Sequence, residues 1–248
     1  MAKIWIIARK DILEALRSRS TYIYVLILLF LTIFYFNNYS TQLAAVKDAG
    51  KTTAEIKDFS QLFLNDLTFN MPLWFGIMMC TIFSNYAIIV DKSKRSLESL
   101  MAAPVSLKKI WLGKSLAVTL PSVIFSLAAY IIAYVVLNFM KVMPATGGFI
   151  APGWLALVSA FILMPLLILA VVIPVIYLQL VIANPRTANF VFTGFFLIIF
   201  LGGSFLNGQG GNKNYGAIYL GIIIIGAGIA FLMSRFLSRE KVLLSDRN

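Results

Sequence analysis

From Leu116 to Met140, and again from Val142 to Pro185, the sequence contains no Asp, Glu, Lys or Arg. Runs of this length, dominated by Leu, Ile, Val, Ala and Phe, reach or exceed the roughly 20 apolar residues that carry a helix across a hydrocarbon core. No water is available there to bond the backbone, so each crossing must satisfy its own N–H and C=O groups, as a helix does. Charged residues make up 12% of the 248 positions, about half the share of a soluble domain, and they sit in short segments between apolar runs. The expected fold class is an all-α polytopic membrane protein.

Six spans are expected: Tyr22 to about Asn37, Met71 to Val90, Leu116 to about Met140, Trp154 to about Ile182, Asn189 to Phe205 and Gly216 to Met233. They form a single transmembrane domain over 1–248, with spans three to six in 116–234 and a polar tail in 235–248. Residues 1–20 read as a helix lying in the membrane surface. At the helical step, Ile4, Trp5, Ala8, Ile12, Ala15 and Leu16 share an arc of about 120°, with Lys3, Lys10, Asp11, Glu14 and Arg17 on the other side. Ile6, Ile7 and Leu13 break that pattern. The competing reading is a signal peptide with Tyr22 to Phe36 as its apolar core; the long, already amphipathic lead-in favours the surface helix.

Residues 38–70 are polar and form an outer loop. Inside it Thr52 and Glu55 have capping-box spacing, and Ile56, Phe59, Phe63 and Leu67 recur at steps of three and four. A short amphipathic helix is predicted there, its apolar face docking on the bilayer or on a partner; a solvated linker is the competing reading. Within the spans, Gly76, Cys80 and Ser84 form a small-residue stripe that admits another helix, as do the pairs Ala217/Gly221 and Gly226/Ala230. Ser122, Ser126 and Tyr130, continued by Tyr134 and Asn138, either line a wet path or bond to carbonyls and neighbouring helices. Pro165 and Pro174 remove ladder hydrogen bonds from the fourth span and predict bends.

With this layout sixteen of the 21 basic residues fall in the N-terminal helix, the 91–115 segment, the turn at Arg186 and the tail, and five fall on the opposite side. Basic residues stay cytoplasmic, so both termini and the 91–115 loop are expected inside, in a multi-pass protein of the cell membrane. The net charge of +11 is not that of a nucleic-acid binder, because it is not gathered on a water-soluble face. The chain has no histidine and one cysteine, Cys80, which removes the commonest general base and any CxxC metal site. No catalytic residue and no metal ligand set is identified. No charged side chain falls inside a predicted span, so an intrinsic proton relay is not expected either. Gly113-Lys114-Ser115 ends like a phosphate-binding loop, but Lys108 stands where the first glycine is required.

The segment from Asp91 to Ser115 carries the most specific pattern. Leu97-Glu98-Ser99-Leu100-Met101 is followed by Pro104 and then by Gly113-Lys114. This resembles the loop between the second and third spans in permeases of the ABC type-2 transporter family, whose usual run is Gly-Thr-Leu-Glu-x-Leu-Leu, a proline, and Gly-Lys at the next helix. Here Arg95-Ser96 replaces Gly-Thr, and Met101 replaces the second leucine. The resemblance extends to the surface helix, the six spans and the internal termini.

The resemblance implies that Leu97, Glu98, Leu100, Met101 and Pro104 form a coupling helix seated in a groove of a separate cytoplasmic ABC ATPase. No cofactor is then expected in this chain, since ATP and Mg belong to that partner, and the chain is not itself an enzyme. A second permease copy or a paralogue completes the assembly in the lipid bilayer. The second and fifth spans are implied to line the path, with Asn85, Tyr86, Asn189 and Thr193 as candidates. The expected function is a permease subunit of an ABC transporter that exports a hydrophobic or amphipathic cargo. The alternative is a force-transmitting subunit that remodels an extracytoplasmic partner docked at 38–70 while no solute crosses.

Overall fold

The computed structural model describes residues 2–93, 105–182, 194 and 215–236, and in them the chain is almost wholly helical. Helix α1 is Ala2–Leu16 and α2 is Arg19–Asp48. Helix α3 starts as Thr53–Ser84 and continues through a π-helical turn, Asn85–Val90, into Asp91–Ser93. Helix α4 is Leu107–Leu137, extended by a π turn at Asn138–Val142 and a last turn at Met143–Thr146. Helix α5 runs from Trp154–Val158 through a π turn, Ser159–Leu163, into Met164–Val181, and α6 is Tyr215–Phe236. Among the described residues five helices, α2 to α6, are long and apolar enough to cross a membrane. Apart from Gly194, the predicted fifth span, Asn189 to Phe205, lies outside the described residues, as does the tail after Phe236.

Residues 38–70 are organised differently from the expected loop. Helix α2 continues past Asn38 to Asp48, and the chain reverses at Gly50, whose φ of 68° is left-handed. The Thr52 capping box forms: the Glu55 carboxylate accepts from the Thr52 N–H at 2.8 Å, and the Thr52 hydroxyl accepts from the Glu55 N–H. The helix that starts there does not stop before the second span, so the predicted short helix and that span are one element with Pro72 inside it. The apolar face of this outer part docks on α2. Tyr39 is fully buried against Phe59 and Phe63, with ring centroids 6.2 and 4.8 Å away, and its hydroxyl bonds to Ser60 at 2.9 Å. Thr52→Ala should lower stability by about 1 kcal/mol, the usual worth of such a cap. Thermal unfolding in detergent checks this, and an unshifted midpoint would show that the cap carries no load.

The hydroxyl stripe on α4 bonds to nearby carbonyls and, at one position, to a neighbouring helix. Ser122 donates to the Val118 carbonyl at 2.7 Å, and Ser126 to that of Val123 at 3.0 Å. Tyr130 pairs with Thr68 of α3 at 2.9 Å, and Tyr134 donates to the Ile150 carbonyl at 2.5 Å. On α3, Gly76 lies where an added Cβ would meet Ile168 of α5, and Ser84 donates to Gln179 at 2.7 Å. The two predicted small-residue pairs on α6 part company. Gly226 packs on the Ala170 backbone of α5, whereas no described residue lies within 4 Å of where a Gly221 side chain would begin.

Two ends of the bundle can be told apart. At one end α1, the start of α2, the end of α3, the start of α4 and the end of α5 meet. Helix α6 also finishes there, since the Tyr177 hydroxyl, beside Trp111, donates to the Phe236 carbonyl. This is the basic end. Near the opposite end Tyr219, at the start of α6, donates to the Phe69 carbonyl at 2.9 Å. Helices α5 and α6 therefore run in the same direction.

Candidate coupling site

At the basic end, the segment that links α3 to α4 is fastened on both sides. Residues 94–104, and with them Leu97, Glu98, Leu100, Met101 and Pro104, lie outside the described residues. The chain re-enters at Val105, and Ser106 is extended, with ψ 142°, as the N-cap of α4. Helix α4 thus begins nine residues before the predicted third span, so Leu107 to Ser115 is helix and no loop. Leu107, Ile110 and Trp111 are buried, and the Trp111 indole N–H donates to the Ile173 carbonyl of α5 at 2.9 Å.

Gly113 and Lys114 each have a structural task there. A Cβ on Gly113 would lie 3.2 Å from the Ile4 carbonyl and 3.3 Å from the Ile7 side chain, so α1 crosses α4 at this glycine. One residue on, the Lys114 ammonium is fully buried. It donates to the Asp11 carboxylate of α1 at 3.1 Å, to the Asp91 carboxylate of α3 at 2.6 Å, and to the Ala87 carbonyl in the π turn. Three acceptors from two other helices match the three donors of an ammonium group. A π turn displaces carbonyls from the regular ladder, which puts the Ala87 oxygen within reach.

Electrostatically the site holds two carboxylates around one buried cation, with Lys10 at the rim 3.6 Å from Asp91. Burial holds the Asp11 carboxyl above its ordinary range; Lys114 pulls it back down, and Asp91 adds to the rise. Close by, Lys92 donates to the Ile182 carbonyl at 2.7 Å and ties the end of α3 to the end of α5. Of the basic residues in the segment, then, Lys92 and Lys114 are buried among helices while Lys108 and Lys109 are exposed.

The surface helix is rotated from its expected setting. Among its described residues Ile7, Ala8, Asp11 and Ala15 are buried, and Trp5, Ile6 and Leu13 are exposed on the far side. This explains why Ile6 and Leu13 broke the amphipathic pattern: one apolar face meets protein and another is left outside. Asp11, placed on the polar side by its charge, stands in the middle of the protein-facing arc. Of the candidate path residues, Asn85 and Tyr86 lie in the π turn of α3, and the Tyr86 hydroxyl bonds to Ser18 at the break between α1 and α2. Asn189 and Thr193 lie outside the described residues. The residues missed by sequence reasoning are Asp11, Asp91 and Lys114. The signal for Asp11 was its position at steps of three, four and seven from Ala8, Ala15, Ile7 and Ile4.

Among the described residues no group of three or more His, Cys, Asp or Glu side chains is arranged to hold a metal. Comparison with curated proteins finds no match. A family model described as ABC-2 family transporter protein matches residues 5–241, from α1 through the bundle and beyond α6. A family match over nearly the whole chain, with five apolar helices among the described residues, identifies it: the chain belongs to the ABC-2 transporter family and is a multi-pass permease subunit of the cell membrane.

Proposed function

We propose that this permease exports a hydrophobic or amphipathic cargo, and that a separate cytoplasmic ATPase drives it through the 91–115 segment. The basic end faces the cytoplasm, as the distribution of Lys and Arg requires. The observation that carries the reading is the anchorage of the segment. The chain leaves α3 at Asp91 and Lys92 and enters α4 at Leu107 to Lys114, and both ends are fixed to neighbouring helices through buried ion pairs or hydrogen bonds. A segment tied in this way delivers any displacement to the spans, whereas a solvated loop would absorb it. Glu98 and the apolar residues Leu97, Leu100 and Met101 are the groups offered to the ATPase, and Pro104 ends their helix. A second copy or a paralogue forms the other half of the path, with Asn85, Tyr86, Asn189 and Thr193 as its candidate lining.

An amphipathic cargo suits the rest of the bundle. The spans carry few charges, and a cleft of about 360 Å³ opens between the outer parts of α2 and α3. It is lined by Tyr35, Phe59 and Phe63 together with Asn38, Asp66 and Asn70, which pairs aromatic walls with polar groups. The outer apolar face of α3 already packs on Tyr39, which leaves less of the 38–70 region for an external partner. The coupling assignment is tested with the permease and its ATPase purified together: Leu97→Asp with Glu98→Ala should lower ATP turnover severalfold and weaken assembly. Unchanged turnover and unchanged assembly would remove the assignment.

A further inference from the structure

The Lys114 site joins three elements: the N-terminal helix α1, the end of the second span and the start of α4. Asp91 lies three residues before the undescribed 94–104 segment, and Lys114 lies one helical stretch after it. The cation therefore clasps the two ends of the coupling segment to each other and to Asp11 of α1. Helix α1 then breaks at Arg17 and Ser18 and continues as α2. That break is itself held. The Thr21 hydroxyl donates back to the Ala15 carbonyl at 2.6 Å, and Ser18 bonds to Tyr86 in the same π turn that supplies the Ala87 carbonyl.

Helix α2 needs such a guide, because little else grips its first half. Tyr22, Leu26, Phe30 and Phe34 recur every four residues and are all more than 60% exposed, and among the residues described between Thr21 and Phe34 only Thr21 and Leu28 are buried. A weakly packed span is positioned by whatever controls its end. Helix α1 crosses α4 closely at Gly113, against Ile4 and Ile7, and its other buried apolar residues, Ala8 and Ala15, are small and carry no interlocking side chain. A directional three-way hydrogen-bonded cation fixes the relative placement of helices better than sliding apolar surfaces do, which is the best use a buried ion pair has.

We propose that Lys114 is a positioning residue that makes α1 travel with the coupling segment, so that the ATPase stroke enters the first span through α1. The proposal rests on the coupling reading above and adds a route to it. No solute needs to be known to test it. In the permease–ATPase complex in nanodiscs, spin labels are placed at Ile6→Cys on α1 or Leu112→Cys on α4, each paired with Phe236→Cys at the end of α6. All three sites are exposed, and Cys80, the single native cysteine, is buried and left in place. Distances are compared without nucleotide and with Mg, ATP and vanadate.

In the otherwise unaltered complex both labels should shift together relative to Phe236. With Asp11→Ala, which leaves Lys114 its Asp91 and Ala87 partners, the Leu112 label should still shift while the Ile6 label loses most of its movement. Equal shifts of both labels in Asp11→Ala would overturn the route and leave the coupling reading intact. No shift of either label before Asp11 is altered would overturn both. Asp11→Asn keeps an acceptor without the charge and should give a partial loss. It serves if the alanine variant does not assemble, and a full shift of Ile6 in it also overturns the proposal.

Discussion

Lys114→Met should destabilise the folded permease by about 3–5 kcal/mol, the range found when one member of a buried ion pair is removed. Methionine fills a similar volume but donates nothing, so Asp11 and Asp91 are left facing each other at a site where both are nearly inaccessible to water. Lys10 cannot take over, because it is half exposed, lies 3.6 Å from Asp91 and is shared with Glu14 at 3.8 Å. The effect should appear as a large fall in the thermal midpoint in detergent and in the yield of assembled complex. Neutralising the whole site, with Lys114→Met, Asp11→Asn and Asp91→Asn together, should recover most of the loss, since the damage comes from uncompensated charge and not from missing volume. A single variant as stable as the native protein would mean that the ammonium does not hold these helices. A triple variant no better than the single one would place the cause elsewhere.

Gly226→Leu should cost about 3 kcal/mol and separate α6 from α5. A Cβ at this position would lie 2.8 Å from the Ala170 carbonyl oxygen and 3.1 Å from its carbonyl carbon. These are backbone atoms, so no rotamer change relieves the clash and the two helices must move apart along their shared seam. Lipid tails are as apolar as leucine, so association of spans depends on close packing of this kind. Gly228→Leu, on the same helix with no described residue within 4 Å, is the control and should leave the thermal midpoint nearly unchanged. Equal midpoints for the two variants would show that the α5–α6 seam tolerates spreading.

Five of the six expected spans are found among the described residues, and they were legible because hydrophobicity over some twenty residues is a property of the segment alone: lipid selects it whatever the neighbouring helices are. Thr52 and Glu55 were legible for a related reason, since a cap is formed by residues three apart on one chain turn. The same local reasoning failed where a helix did not end. Nothing between Phe63 and Met71 tells a window-based reading that the outer helix and the second span are continuous, because the change from aqueous to lipid surroundings alters composition without breaking the ladder. The hydroxyls of α4 left two readings open, and only their partners, Thr68 and the carbonyls of Val118, Val123 and Ile150, chose between them.

Asp11, Asp91 and Lys114 mark the boundary most clearly. In sequence each is an ordinary charge in a polar segment, consistent with enforcing topology, and Gly113-Lys114-Ser115 even imitates part of a nucleotide loop. The chain by itself determined that it lives in a bilayer, which segments cross, and which segments keep their charge out of the hydrocarbon. Tertiary structure alone decided which of those charges meet. Asp11 and Lys114 are 103 positions apart and Asp91 and Lys114 are 23 apart, and whether they touch depends on where helices cross. That crossing is set by Gly113 and by the turn of α1 about its own axis, quantities that no local pattern of polar and apolar residues contains.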